Sequence, residues 1–199
     1  MMADGLIVEI IAINQFNMIE VKESASGVDI WVKKMNTLLY NSLCNKWNIP
    51  NDQYNCYGRI YRVEKSNLWY PQTFIGALDY EEVFYNDSVA ASSFWHYNGS
   101  SVKKGIYTAD MALFFCVNLS MIKEVGLQRA DEDVRCDVAA LVDRRYQFTM
   151  TGIEVGIDKI FREFNGWKRS SGRREQDMQP SHCFRINTQL FYNPQSNDC

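Results

Sequence analysis

His182 and Cys183 stand side by side, the two residue types from which a thiolate nucleophile and its base, or two metal ligands, are built. The residues around them alternate as a strand does, however, and neighbours on a strand point to opposite faces. No further ligand stands at matching spacing, so a hydrogen-bonding role for His182 is favoured. The other histidine, His96, follows Trp95 among aromatics and reads as a stacking or interface residue. Asp79, Glu81, Glu82 and Asp87 place carboxylates close enough for acid–base work. Acids scattered along short β-prone segments are better read as solvated charges that blunt a sheet edge. Lys168, Arg169, Arg173 and Arg174 make the one basic cluster, set among Ser and Gly. It reads either as a solvated loop or as a loop touching phosphate, DNA or a neighbour's acidic patch. Phosphate loops, G-x-S-x-G, H-E-x-x-H and EF-hand patterns are absent from the sequence. The reading is therefore no enzyme, no cofactor and no metal.

What stands out instead is aromatic. Trp69-Tyr70-Pro71, Phe74, Tyr80, Phe84-Tyr85, Phe94-Trp95 and Tyr97 are interleaved with Asn, Asp, Ser and Gly. One face of one sheet should not need so many large rings, and left in water they would form an apolar patch. Trp69, Tyr70, Phe84, Tyr85, Phe94 and Trp95 are therefore candidates for a subunit interface, where aromatic residues dominate the energetics.

The elements that must position these residues follow from periodicity. Leu6 to Val21 is β-branched and reads as an extended arm, with residues 1–24 a possible N-terminal docking element. Val32, Met35, Leu39, Leu43 and Trp47 recur at helical spacing until Asn48-Ile49-Pro50. Short strands follow over Gly58–Val63, Thr73–Gly76 and Glu81–Tyr85, and Asn98-Gly99 signals a hairpin between Phe94–Tyr97 and the segment reaching Tyr107. Leu113, Phe115, Val117 and Leu119 alternate as a core strand. Val134, Val138, Leu141 and Val142 form a second helical stripe, with acids at its start and Arg144-Arg145 at its end. Thr151-Gly152-Ile153-Glu154 matches a capping box for a third helix that buries Ile153, Ile157, Ile160, Phe161 and Phe164, with Asn165-Gly166 as its left-handed stop. Phe184, Ile186, Thr188, Leu190 and Tyr192 share one face of a last strand, and residues 193–199 are a polar tail. The expected fold is α+β in a single domain over residues 1–199. It is an antiparallel sheet with helices packed on one face and an extended aromatic β-hairpin arm.

Composition agrees with a globular chain. Of 199 residues 46% are hydrophobic and 14% aromatic, enough for a core that folds without disulfides or metal. The net charge of −3 argues against a general nucleic-acid binder. The six cysteines form no C-x-x-C pair and read as free thiols from a reducing cytoplasm. The apolar run from Leu6 to Ile13 carries Glu9, has no basic residues before it and is too short to span a bilayer.

The order of elements, with Tyr57-Gly58-Arg59, Tyr70-Pro71 through Asp79-Tyr80-Glu81-Glu82-Val83, Ala91-Ser92-Ser93-Phe94, Arg129-Ala130-Asp131-Glu132 and Met178 through Ile186, resembles the tail-terminator and neck-ring proteins of tailed bacteriophages. The likeness is greatest to ring proteins in the necks of crAss-like phages, and it spans most of Val28 to Tyr192. The resemblance implies a structural virion protein, assembled in the bacterial host cytoplasm, whose copies close a sixfold or twelvefold ring at the head-to-tail junction. It implies portal and other neck or tail proteins as partners, a channel through which DNA passes with non-specific contact, no membrane, and hairpin arms that reach neighbouring subunits. Two readings compete. A carbohydrate-binding module would use exposed Trp and Tyr, but such modules are usually all-β; a small hydrolase would need a site the sequence does not display.

Overall fold

Val32, Met35, Leu39, Leu43 and Trp47 all lie on the buried stripe of helix α1 (Val28–Trp47). The helix stops at Asn48, whose left-handed backbone (φ 51°) turns the chain so that the N–H groups of Asn48 and Ile49 take the carbonyls of Asn45 and Cys44. The computed structural model describes residues 27–76, 79–83, 86, 88–122, 130–160, 162–167 and 180–193. The expected N-terminal arm and the polar tail beyond Asn193 lie outside them. Among the described residues no helix is long and apolar enough to cross a membrane.

Strands β1 (Tyr54–Lys65), β2 (Leu68–Gly76) and β3 (Asp79–Glu82) form a meander, and β4 (Ala91–Lys103) and β5 (Ile106–Asn118) a long hairpin. After a short helix α2 (Leu119–Ile122) come α3 (Asp131–Val142), β6 (Phe148–Val155), a one-turn α4 (Ile157–Ile160) and β7 (Ser181–Tyr192). The protein is α+β, built on one seven-stranded sheet in the order β3-β2-β1-β4-β5-β7-β6. It is not wholly antiparallel. After β3 the chain returns to the other side of β1, so β4 runs parallel to it from Tyr54↔Ala91 to Ile60↔His96. Both tight hairpins turn through two residues at positive φ, Ser66-Asn67 and Lys104-Gly105, the geometry that matches strand twist. The expected turn at Asn98-Gly99 is instead a bulge inside β4, where the register to β5 shifts between Tyr97 and Gly99.

The sheet is covered on both faces, which corrects the expectation of helices on one. On the first face α1 and α3 pack over Trp95, Leu113, Phe115, Val117, Phe184, Ile186 and Leu190. On the second, Ile160 of α4 and the following Phe164 and Trp167 pack over Ile60, Phe94, Phe114, Cys116 and Cys183. The third helix expected from Thr151 is therefore corrected as well. Phe148–Val155 is an edge strand paired with β7, and its Thr and β-branched residues suit a pleated, half-buried surface better than a helix. Ile153 is 40% exposed, whereas Ile160 and Phe164 are buried on the second face, away from Phe115. Phe161 and the side chain of Ile157 lie outside the described set. Asn165-Gly166 caps no helix. The Asn165 Oδ1 accepts the Trp69 N–H at 2.8 Å and the Gly166 N–H donates to the Trp69 carbonyl at 3.0 Å. Gly166 is required there for space, because a Cβ would sit 2.5 Å from the Tyr70 ring.

A buried asparagine seats α1 on the sheet. Asn36 Nδ2 donates to the Tyr57 carbonyl at 2.9 Å, and Trp95 Nε1 donates to Asn36 Oδ1 at 2.8 Å. The far end of α1 is tied to α3 by Trp47 Nε1 donating to Asp137 Oδ2 at 2.9 Å. Trp95→Phe should cost about 1–3 kcal/mol by leaving the Asn36 carbonyl without its donor. Phe115 contacts the rings of Trp47, Tyr54 and Phe184. Phe115→Ala should cost about 3–5 kcal/mol. Urea unfolding monitored by tryptophan fluorescence checks both values.

Candidate functional site

The aromatic residues expected at a subunit contact divide three ways. Phe94 and Trp95 are 1% and 0% exposed, one in each face of the core. Phe94 stacks on Phe114 with centroids 4.9 Å apart and meets Trp167 edge-on at 5.0 Å. These two are thus corrected to core residues: because the second face has its own cover, the sheet needs large rings on both sides. Trp69 and Tyr70 are half-buried against Asn165 and Gly166, with the Arg62 guanidinium 4.1 Å from the Trp69 ring. Phe84 and Tyr85 lie outside the described residues, as do Lys168, Arg169, Arg173, Arg174 and Asp87.

The exposed apolar groups are different ones. At the β3 end of the sheet Tyr80 (44% exposed) meets Tyr61 (39%) edge-on at 5.4 Å and Phe74 at 5.5 Å. These rings stand on the face that carries α1, where Arg59 pairs with Asp29 through Nε and Nη2, both at 2.8 Å. At the opposite end, edge strand β6 shows Ile153 and Val155. Register places them opposite Ile186 and Phe184, hence on that same face. Glu82 of β3 pairs with Lys65 at 3.2 Å, and Asp79 and Glu81 are exposed edge charges.

The second face holds a buried polar network. Arg185 on β7, only 4% exposed, lies over the Phe114 ring at 5.2 Å. Its Nη1 donates to Glu163 Oε1 at 2.6 Å and its Nε to Asn187 Oδ1 at 2.7 Å. The other Glu163 oxygen lies 3.0 Å from His96 Nδ1, and the imidazole packs edge-on against Phe164. Asn187 Nδ2 donates to Glu154 Oε1 at 3.1 Å, and Arg162 stands 3.6 Å from Glu154 and 3.7 Å from Glu163. Burial alone would raise the Glu163 carboxyl. The donor groups and positive charge of His96 and Arg185 outweigh it and lower the group from 4.5 to about 2. A carboxylate–imidazole pair can orient a ring for proton transfer. Here Oε1 accepts from Arg185 while Oε2 faces His96 at ion-pair distance without a hydrogen bond, and what the network visibly does is tie β4, β6 and β7 to the turn around Glu163.

Of the two roles expected for His96, ring packing is the one observed, against Phe164, and the imidazole also faces Glu163. Glu163 and Arg185 carry no signal in the sequence: Arg185 alternates out of the Phe184–Ile186–Leu190 face read as core, and only the cover on the second face buries it and calls for an anion there. His182 and Cys183 diverge as the strand geometry requires, His182 stacking on Phe184 at 5.5 Å and Cys183 entering the second core face. No family model, curated protein or solved structure matches the chain.

Because the folded Glu163 carboxyl titrates below its ordinary 4.5, its contribution is complete above that value. It should be lost as the pH falls from about 4.5 toward 2. Glu163→Gln should lower the melting temperature at pH 7 and flatten that acid limb. Thermal melts between pH 2 and pH 7 check the expectation.

Proposed function

We propose that the chain is a structural subunit that closes a homo-oligomeric ring in the neck of a tailed bacteriophage, bridging portal and tail around the DNA channel. The observation that carries self-association is the pair of exposed apolar groups at opposite ends of one sheet. Tyr61, Phe74 and Tyr80 stand at the β3 edge and Ile153 and Val155 at the β6 edge. Seven strands at about 4.8 Å separate these edges by on the order of 29 Å. Two unlike patches on opposite edges suit a head-to-tail contact, in which each copy offers one patch to the next and rotation closes the ring. The phage neck as the place of assembly rests on the sequence resemblance. The resemblance implies a hairpin arm, expected over Trp69–Tyr97; we propose that the reach to a neighbour is made instead by the outer half of the β4–β5 hairpin, where Val102 and Ile106 are 57% and 56% exposed.

The full chain should run as one discrete oligomer by light scattering coupled to size exclusion, and electron microscopy should show rings. Tyr80→Lys and Ile153→Lys should each yield monomers that melt within a few degrees of the parent. A parent that stays monomeric at every concentration and does not bind a portal, or variants that assemble as it does, would overturn the reading.

A further inference from the structure

The outer edge of β4 is only half used. β1 pairs with it as far as Ile60↔His96, then continues with β2 alone to Lys65. Beyond that point β4 is bonded only to β5 among the described residues, so the sheet forks. Past the bulge, Gly99–Lys103 pairs regularly with β5 on its inner side, and its outer N–H and C=O groups are a template for another strand.

The face beside this fork is apolar. Tyr97 and Tyr192 pack at the margin of the core under α1, Tyr107 meets Tyr192 at 5.8 Å, and Val102 stands opposite Tyr107 on β4. Tyr61 looks across from β1. The start of α1 is pinned at the same place: Asp29 holds Arg59, which lies 5.2 Å from the Tyr61 ring and 6.0 Å from that of Tyr97. Two residues earlier Gly27, at φ 56°, turns the chain. The described chain therefore begins beside the fork, and the sequence before Gly27 includes the β-branched run Leu6-Ile7-Val8-Glu9-Ile10-Ile11-Ala12-Ile13.

We propose that Leu6–Ile13 of the same chain adds as a further strand along Gly99–Lys103 and lays its apolar side chains on the tyrosines beside it. Residues 14–26 reach up to about 43 Å when extended, ample to place the strand there. A tether that short holds the segment at a local concentration on the order of millimolar, which favours the chain's own segment over a neighbour's.

Amide hydrogen exchange of Ser100–Lys103, followed by mass spectrometry on the full chain at low and high concentration, tests this. The amides should exchange at least about tenfold more slowly in the full chain than in one beginning at Gly27. A synthetic peptide of residues 1–26 should restore the protection. The double substitution Ile10→Pro/Ile11→Pro in the full chain removes a ladder donor in either register, because adjacent N–H groups point opposite ways. It should speed exchange at the same amides without changing the far-ultraviolet circular dichroism, and it decides the matter if the shortened chain does not fold. Equal rates in the full chain and either variant would overturn the proposal. So would protection that appears only at high concentration, since the strand would then come from another copy.

Discussion

Strand β5 is apolar on both faces, and the rest of the architecture answers to that. Met111, Leu113, Phe115 and Val117 need one cover, and Ala112, Phe114 and Cys116 need another. Neighbours β4 and β7 share the condition, since Trp95 and Phe94, or Phe184 and Cys183, point opposite ways from adjacent positions. A sheet with its centre buried on both sides must be sandwiched, and most of the stabilisation comes from removing these rings and aliphatic chains from water.

The two covers are fixed by different means. On the first face, α1 supplies a full hydrophobic stripe, and Asn36 sets its register through the Trp95 indole and the Tyr57 carbonyl. On the second, the cover among the described residues is a single helical turn and the few residues after it. The Arg185–Glu163–His96 network supplies the constraint there. Arg185 would be costly to bury alone, and Glu163 likewise. Together, with Asn187 and Glu154, they balance one another's charge and orient the turn that carries Phe164 and Trp167, although Glu163 Oε2, Glu154 Oε2 and His96 Nδ1 make no hydrogen bond. The same turn then grips β2 through Asn165 and Gly166, so the meander is fastened to the second cover as well as to β4.

This arrangement leaves apolar surface where covers end. α1 begins over β1 and β4, so the tyrosines beyond its first turn are left at the margin. At the other end Ile153 and Val155 lie on the outermost strand. Self-association draws on Tyr80 and the β6 edge and strand addition on the outer side of β4 with Tyr97, Tyr107 and Tyr192, while Tyr61 and Val102 border both.

Helices α1 and α3 and the centres of β1, β2, β5 and β7 were determined by the sequence itself, because each carries its own period, whereas β3 stands at Asp79–Glu82 rather than Glu81–Tyr85 and Leu119 opens α2 instead of ending β5. Val32 to Trp47 and Val134 to Val142 repeat at helical spacing, and Phe184 to Tyr192 alternates. Periodicity failed at Thr151–Val155, which is strand, and of the helix expected there one turn, Ile157–Ile160, is helical. Pairing with β7, a non-local contact, decided that Phe148–Val155 is a strand. The same holds for the aromatic residues. A sequence shows how many rings must be covered, but not that a turn distant in sequence returns to cover Phe94, nor that Trp95 reaches Asn36. The network of His96, Glu163 and Arg185 was equally out of sight, because its members are far apart along the chain and meet only once the sheet has brought β4 and β7 to either side of β5.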